Sequence, residues 1–267
     1  MNEMPLVLFT ILSQIAIGGF ITLWILDLKG KSPSLKTGFL LNGIFAGISM
    51  AAVLASLFHL GHPFEAYRAL ANFRESWLSR EVTFFALFIL FVLLYTFAWR
   101  WERRILRRWS GILSAFFGVA TLISSAMIYT IPAVPAWNNA FPTLSFFLTA
   151  FMLGPFTAGV FLTWRREPKV SFSSLVLRGM TLAFLLFVLY VTALLAGLPE
   201  ANLAAHLMLN DPFFWIRGLT FILAYLLLIR VNVMKRGSLV AMGLPFTLLL
   251  ISEVMGRILF YETAIHL

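Results

Sequence analysis

Cysteine is absent from the sequence. Disulfides, thiolate nucleophiles, c-type haem attachment and thiolate-held iron–sulfur clusters are thereby excluded for this chain, and electron transfer through it would need redox centres on a partner. Charge is nearly as scarce: 12% of the 267 residues are Asp, Glu, Lys or Arg, against roughly 25% in a typical soluble domain, which excludes an ordinary soluble enzyme. Histidines number 4, and none lies in the middle of an apolar run. An integral b haem draws its axial histidines from different helices, so this distribution argues against haem.

Hydrophobic side chains fill the sequence instead, at 61% of the total. Long uncharged stretches recur along its whole length, and a membrane-crossing helix needs about 20 predominantly apolar residues. Helices apolar nearly all round give no periodic face, so the spans are bounded by basic blocks and by Pro/Gly borders. Eight result: Pro5–Leu28, Gly38–Leu60, Val82–Trp99, Gly111–Ile131, Thr143–Trp164, Leu175–Leu198, Phe213–Ile229 and Leu239–Phe260. The predicted fold is all-α, a polytopic integral membrane protein with eight transmembrane helices forming one membrane domain over 1–267. The segment Met1-Asn2-Glu3-Met4 carries no basic n-region, and no small-residue cleavage site follows, so the first span is expected to be retained.

A net charge of +9 would suggest nucleic acid for a soluble domain. Here the basic residues lie in short blocks between apolar runs, as topology signals do, and no nucleic-acid partner is expected. One side of the membrane collects Lys29, Lys31, Lys36, Arg100, Arg103, Arg104, Arg107, Arg108, Arg165, Arg166, Lys169, Arg178, Arg230, Lys235 and Arg236. The other has Arg68, Arg74 and Arg80 in one long loop, plus Arg217 and Arg257 near span ends. By the positive-inside rule the first set faces the cytoplasm, which puts both termini and the loop over 61–81 outside. All four histidines, His59, His62, His206 and His266, fall toward that outer side, as do Glu65, Glu75, Glu81, Glu200, Asp211 and Glu262.

The outer loop reads His59-Leu60-Gly61-His62-Pro63-Phe64-Glu65-Ala66-Tyr67-Arg68 and continues to Ser79-Arg80-Glu81. Gly61 can end a span and Pro63 suits the first position of a new helix, giving a short amphipathic helix on the interface within 61–81. Ser79 reads as the N-cap of the third span, with Glu81 in its first turn near the positive end of the helix dipole. His59 and Glu81 then end and begin adjacent antiparallel spans at nearly one depth. Two readings fit. In one, they are a proton-accepting pair for a quinol, whose oxidation releases two protons with two electrons. In the other, Glu81 only complements the dipole and His59 is an interfacial residue that snorkels.

The last span carries Glu253 and Arg257 at i,i+4, able to neutralise each other. Glu253 lies about 10 Å below the outer helix end at 1.5 Å per residue, where charge faces a bundle interior or a wet cavity; a structural salt bridge is the plainer alternative. Tyr129 begins an uncharged loop to Asn139 and can hydrogen-bond a quinone oxygen, while Trp137 reads as an aromatic-belt anchor. Gly154-Pro155 should kink the fifth span, and Gln14 and Gly18-Gly19 read as close-packing features of the first.

The stretches His59-Leu60-Gly61-x-Pro63, Leu78-Ser79-x-Glu81, Val134-Pro135-x-Trp137, Phe146-Phe147-Leu148-Thr149 with Gly154-Pro155, and Glu253-x-x-Gly256-Arg257-x-x-Phe260-Tyr261 resemble the membrane anchor subunit of anaerobic dimethyl sulfoxide reductase, the DmsC type, itself related to NrfD-type quinol-interacting anchors. The resemblance runs in order from Pro5 to Tyr261. It implies eight spans with both termini outside, no haem and no iron–sulfur cluster in this chain, and oxidation of menaquinol. It further implies that electrons pass to an iron–sulfur subunit with four-iron clusters and then to a molybdopterin catalytic subunit, in anaerobic respiration at the bacterial cytoplasmic membrane. The residues matching the family's menaquinol site are His59 and Glu81; Arg257, Glu253, Tyr129 and Tyr261 join them on physical grounds. His62, Glu65 and Arg68 make the outer loop more charged than the family pattern.

Two function classes follow. The first is the quinol-oxidising anchor of a heterotrimeric molybdoenzyme, with no complete catalytic cycle of its own. The second is a secondary transporter or proton-translocating protein, which would need ionisable residues near the midplane and on both sides of it. The outward clustering of such residues favours the first.

Overall fold

The computed structural model describes residues 3–58, 72–167, 170–234 and 238–262. Among them are nine helices and no strand: α1 (Met4–Leu28), α2 (Leu35–Leu57), α3 (Trp77–Arg100), α4 (Arg104–Ile128), α5 (Phe141–Trp164), α6 (Ser173–Leu195), α7 (Pro199–Asn210), α8 (Pro212–Met234) and α9 (Leu239–Glu262). All except α7 are long and apolar enough to cross a membrane. The protein is a multi-pass integral membrane protein.

The eight long helices coincide with the eight expected spans, and their ends differ for identifiable reasons. α4 begins at Arg104 because helix continues through the basic block, whose long side chains favour helix and can snorkel. α2 begins after Ser34, whose side chain accepts from the Thr37 amide at 3.4 Å. α3 corrects the expected cap. Ser76, not Ser79, is the N-cap and accepts from the Ser79 amide at 3.3 Å. Both serines are eligible, and Trp77-Leu78 add an apolar start that extends the helix upstream. Glu81 therefore lies beyond the first turn, which contains no acidic residue, and dipole complementation is not its role. The short helix expected from Pro63 falls outside the described residues.

α7 stands where the sequence reading has a loop. Pro199 at its start and Glu200 in its first turn are both N-terminal helix signals, and Ala201, Ala204, Ala205 and Met208 bury one face. At 12 residues it is too short to span a bilayer.

α1 and α5 are the most buried spans and lie at the centre of the bundle. Their backbones touch: a Cβ on Gly18 would stand 2.1 Å from the Ala150 carbonyl oxygen, and one on Gly154 would stand 2.3 Å from Gly18 itself. Only glycine permits such an approach, so the packing reading of Gly18 holds. Gly19 likewise makes room for the Phe45 ring of α2. Connections place the ends of α1, α3, α5 and α8 with the starts of α2, α4, α6 and α9 at one face, the basic end. Tyr129 and Tyr261 mark the opposite end.

Candidate functional site

At the Tyr261 end the uncharged loop after α4 folds back over the helices. Val134, Ala136 and Trp137 are buried there. Carrying no ions, this loop loses only peptide hydration on burial, and the Ala136 carbonyl is paired by the Tyr190 hydroxyl, which donates to it at 2.9 Å. Trp137 is thus not a belt anchor. Its Nε1 donates to the Phe260 carbonyl at 3.0 Å and its ring stacks on Phe260 at 4.9 Å.

Beneath this lid the Tyr129 and Tyr261 hydroxyls share a hydrogen bond of 2.8 Å. Tyr129 is held edge-on by Trp137 and Phe260, each with its ring centre 5.3 Å away. Glu81, from α3, is 4% exposed. The Ser125 hydroxyl of α4 is its hydrogen-bonding neighbour, and its carboxyl is close enough to act electrostatically on both tyrosines. Thr10 of α1 completes the polar surroundings of Tyr261.

Arg257 and Glu253 do not pair with each other. Arg257 Nη2 donates to Gln14 Oε1 at 3.1 Å, and the guanidinium lies 3.9 Å from the centre of the Phe146 ring. Glu253 Oε2 accepts from the Thr149 hydroxyl at 2.6 Å. Successive polar residues of α9 are thereby drawn to different neighbours, Arg257 to α1 and Glu253 to α5. On its other side Glu253 lines a cleft of about 490 Å³ between α6 and α8, together with Arg217 and Phe187. Arg217 packs over Phe187 at 4.1 Å and occupies the space left by Gly256, where a Cβ would stand 2.7 Å from its Nε.

Of the residues singled out in the sequence, Glu81, Tyr129, Tyr261 and Arg257 converge on one buried cluster, with Glu253 at its flank. His59, with His62, Glu65 and Arg68, lies outside the described residues. His206 is exposed on α7. Gln14 belongs to the cluster as well and is more than a packing residue. It is 1% exposed, and its Nε2 has no hydrogen-bond partner. An amide alone within an apolar span is the signal that points to it. Thr10 and Ser125 give none, while Thr149 and Arg217 stand out in the sequence only as part of a motif and as a basic residue near a span end.

The sequence profile of the family described as DMSO reductase anchor subunit (DmsC) matches residues 1–263. This chain belongs to that family. It is similar to YnfH, an anaerobic dimethyl sulfoxide reductase subunit of Escherichia coli, being 30% identical over 65% of its own length and 61% of the relative. The C subunit of the anaerobic dimethyl sulfoxide reductase of Haemophilus influenzae is 26% identical, over 97% of the DmsC-family member described here and 94% of the relative. The corresponding C subunit of the Escherichia coli enzyme gives the same figures, 26%, 97% and 94%. As a DmsC-family member the protein is a membrane anchor of a dimethyl sulfoxide reductase-type complex, a class that works with catalytic and electron-transfer partners.

Proposed function

We propose that this anchor oxidises menaquinol at the cluster of Tyr129, Tyr261, Glu81, Arg257 and Gln14, and that the electrons leave through an iron–sulfur subunit with four-iron clusters for a molybdopterin catalytic subunit. The setting is anaerobic respiration at the bacterial cytoplasmic membrane. The basic end faces the cytoplasm by the positive-inside rule, so the cluster, both termini and the partners lie on the outer side.

Gln14 carries this reading. A buried amide nitrogen without a partner costs about 1–3 kcal/mol, and Arg257 holds the amide so that Nε2, not Oε1, is the free atom. A ligand oxygen is the missing acceptor. Quinol supplies two electrons and two ionisable hydroxyls, and the residues present suit both. Gln14 Nε2 donates to one ring oxygen, with Arg257 orienting the amide. The Tyr129 and Tyr261 hydroxyls can switch partners to meet the other. Glu81 takes a proton on its carboxylate, with Ser125 steadying it, and His59 serves the same end from the adjoining segment. Phe146, Trp137 and Phe260 exclude water.

The reading is tested on the purified complex by titrating a fluorescent naphthoquinol analogue. Saturation near one per anchor in wild type, with weakened binding in Glu81→Gln and His59→Ala, is expected. Binding that neither variant changes would sink the assignment of the site.

A further inference from the structure

A second cavity, of about 390 Å³, lies away from this cluster, along α1 where α4 and α5 part company. It starts at mid-bundle beside Ile17 and Gly18, follows the face of α1 that carries Ile21 and Ile25, and reaches the basic end, where Lys29 and Lys31 line it. From Ile17 to Lys29 the helical rise is about 18 Å. Half of a hydrocarbon core of about 30 Å is close to that length, so the slot spans one leaflet from its headgroup level to the midplane. Its walls are mostly apolar, including Phe147 and Phe151 of α5, and among the described residues no carboxylate lines it.

Both lysines at the mouth are exposed. The nearby acids are engaged elsewhere. Asp27 accepts from Ser32, Tyr95 and Arg107, and Glu167 accepts from the Ser34 amide, the Ser34 hydroxyl and the Thr37 hydroxyl. The ammonium groups are thus left to something that brings its own negative charge.

We infer that this slot is a binding site for one anionic phospholipid of the leaflet at the basic end, with an acyl chain along α1 and the headgroup phosphate between Lys29 and Lys31. Charge at the mouth and an apolar slot one leaflet deep select this occupant together. A neutral quinol headgroup has no use for two lysines, and a free phosphate has none for the slot.

Native mass spectrometry of the detergent-extracted complex, titrated with dioleoylphosphatidylglycerol or dioleoylphosphatidylcholine, tests this. One phosphatidylglycerol per anchor should be retained, about tenfold or more in preference to phosphatidylcholine, as expected for two lysines near an anionic headgroup. The exposed pair Lys29→Gln/Lys31→Gln should erase the preference, and Val119→Trp, which fills the acyl part of the slot, should lower retention of both lipids. Equal retention of the two lipids by wild type would overturn the inference. So would an undiminished preference in the lysine double variant, unchanged retention in Val119→Trp, or one-for-one displacement of phosphatidylglycerol by a naphthoquinol analogue.

Discussion

Two polar clusters lie in this apolar bundle, a half-buried one at the basic end and a buried one at the other, and they differ in how completely their hydrogen bonds are met. At the basic end Asp27 accepts from Ser32 at 2.9 Å, from Tyr95 at 2.8 Å and from Arg107 at 2.5 Å. Arg107 also rests on Trp99 at 4.4 Å, and it forms an ion pair with Asp27. That network is closed: each group has its partner, and such a cluster ties α1, α3 and α4 together. At the Tyr261 end, Glu253 and Arg257 are spaced to pair and do not, and Gln14 keeps an unused donor. Charge in a bundle does not by itself mark a binding site. An unmet hydrogen bond beside separated charges is the better mark, because something outside the protein can satisfy it.

That contrast can be broken from either side. The largest effect is expected at Arg257. Arg257→Met removes a buried cation and its aim on Gln14, so binding of a naphthoquinol analogue should fall by about 30-fold or more, the scale of losing one partner of a buried charged contact. Thermal stability should fall by no more than the cost of leaving the buried Gln14 Oε1 without its donor, about 1–3 kcal/mol. Asp27→Ala should change stability alone. It leaves the Tyr95 hydroxyl and Arg107 without their acceptor, which should cost about 1–3 kcal/mol in a detergent unfolding measurement while analogue binding stays at the wild-type level.

Gln14→Glu sharpens the comparison further. It keeps an acceptor for Arg257 and deletes the free donor, so unfolding should be unchanged or delayed while analogue affinity drops about tenfold, the value of one hydrogen bond of about 1.4 kcal/mol. The smallest contrast is between tyrosines. Tyr95→Phe should lower stability by about 1 kcal/mol without touching binding, whereas Tyr261→Phe, which takes the partner from the buried Tyr129 hydroxyl, should cost a similar amount and also weaken binding about fivefold. Equal effects of the two substitutions on both readouts would mean that the two clusters do not differ in kind.

Much of the scaffold is legible in the sequence, because eight apolar runs separated by basic blocks leave few alternatives. The ends are harder. Ser76 and Ser79 are equally good caps, and only Trp77 and Leu78 joining the helix decide between them. α7 escapes because Pro199 and Glu200, its start signals, precede a segment too short and too polar to resemble its neighbours. Glu81, Tyr129, Tyr261 and Arg257 can be proposed together from chemistry and depth. Gln14 and Trp137 cannot be assigned with them, since a helix that is apolar on every side carries no record of its rotation, and a loop without charges can lie on the surface or fold inward. The partner of Glu253 is Thr149, 104 residues away, which no local pattern announces.

The contact between Gly18 and Gly154, with the hold of Glu167 on Ser34 and Thr37, also bears on how the protein is made. The first four spans enter the membrane with one face of α1 bare and the start of α2 lacking its acidic clamp. Both needs are met from beyond α4, by α5 and the turn that follows it. The early spans therefore owe their last contacts to residues that follow them in the chain.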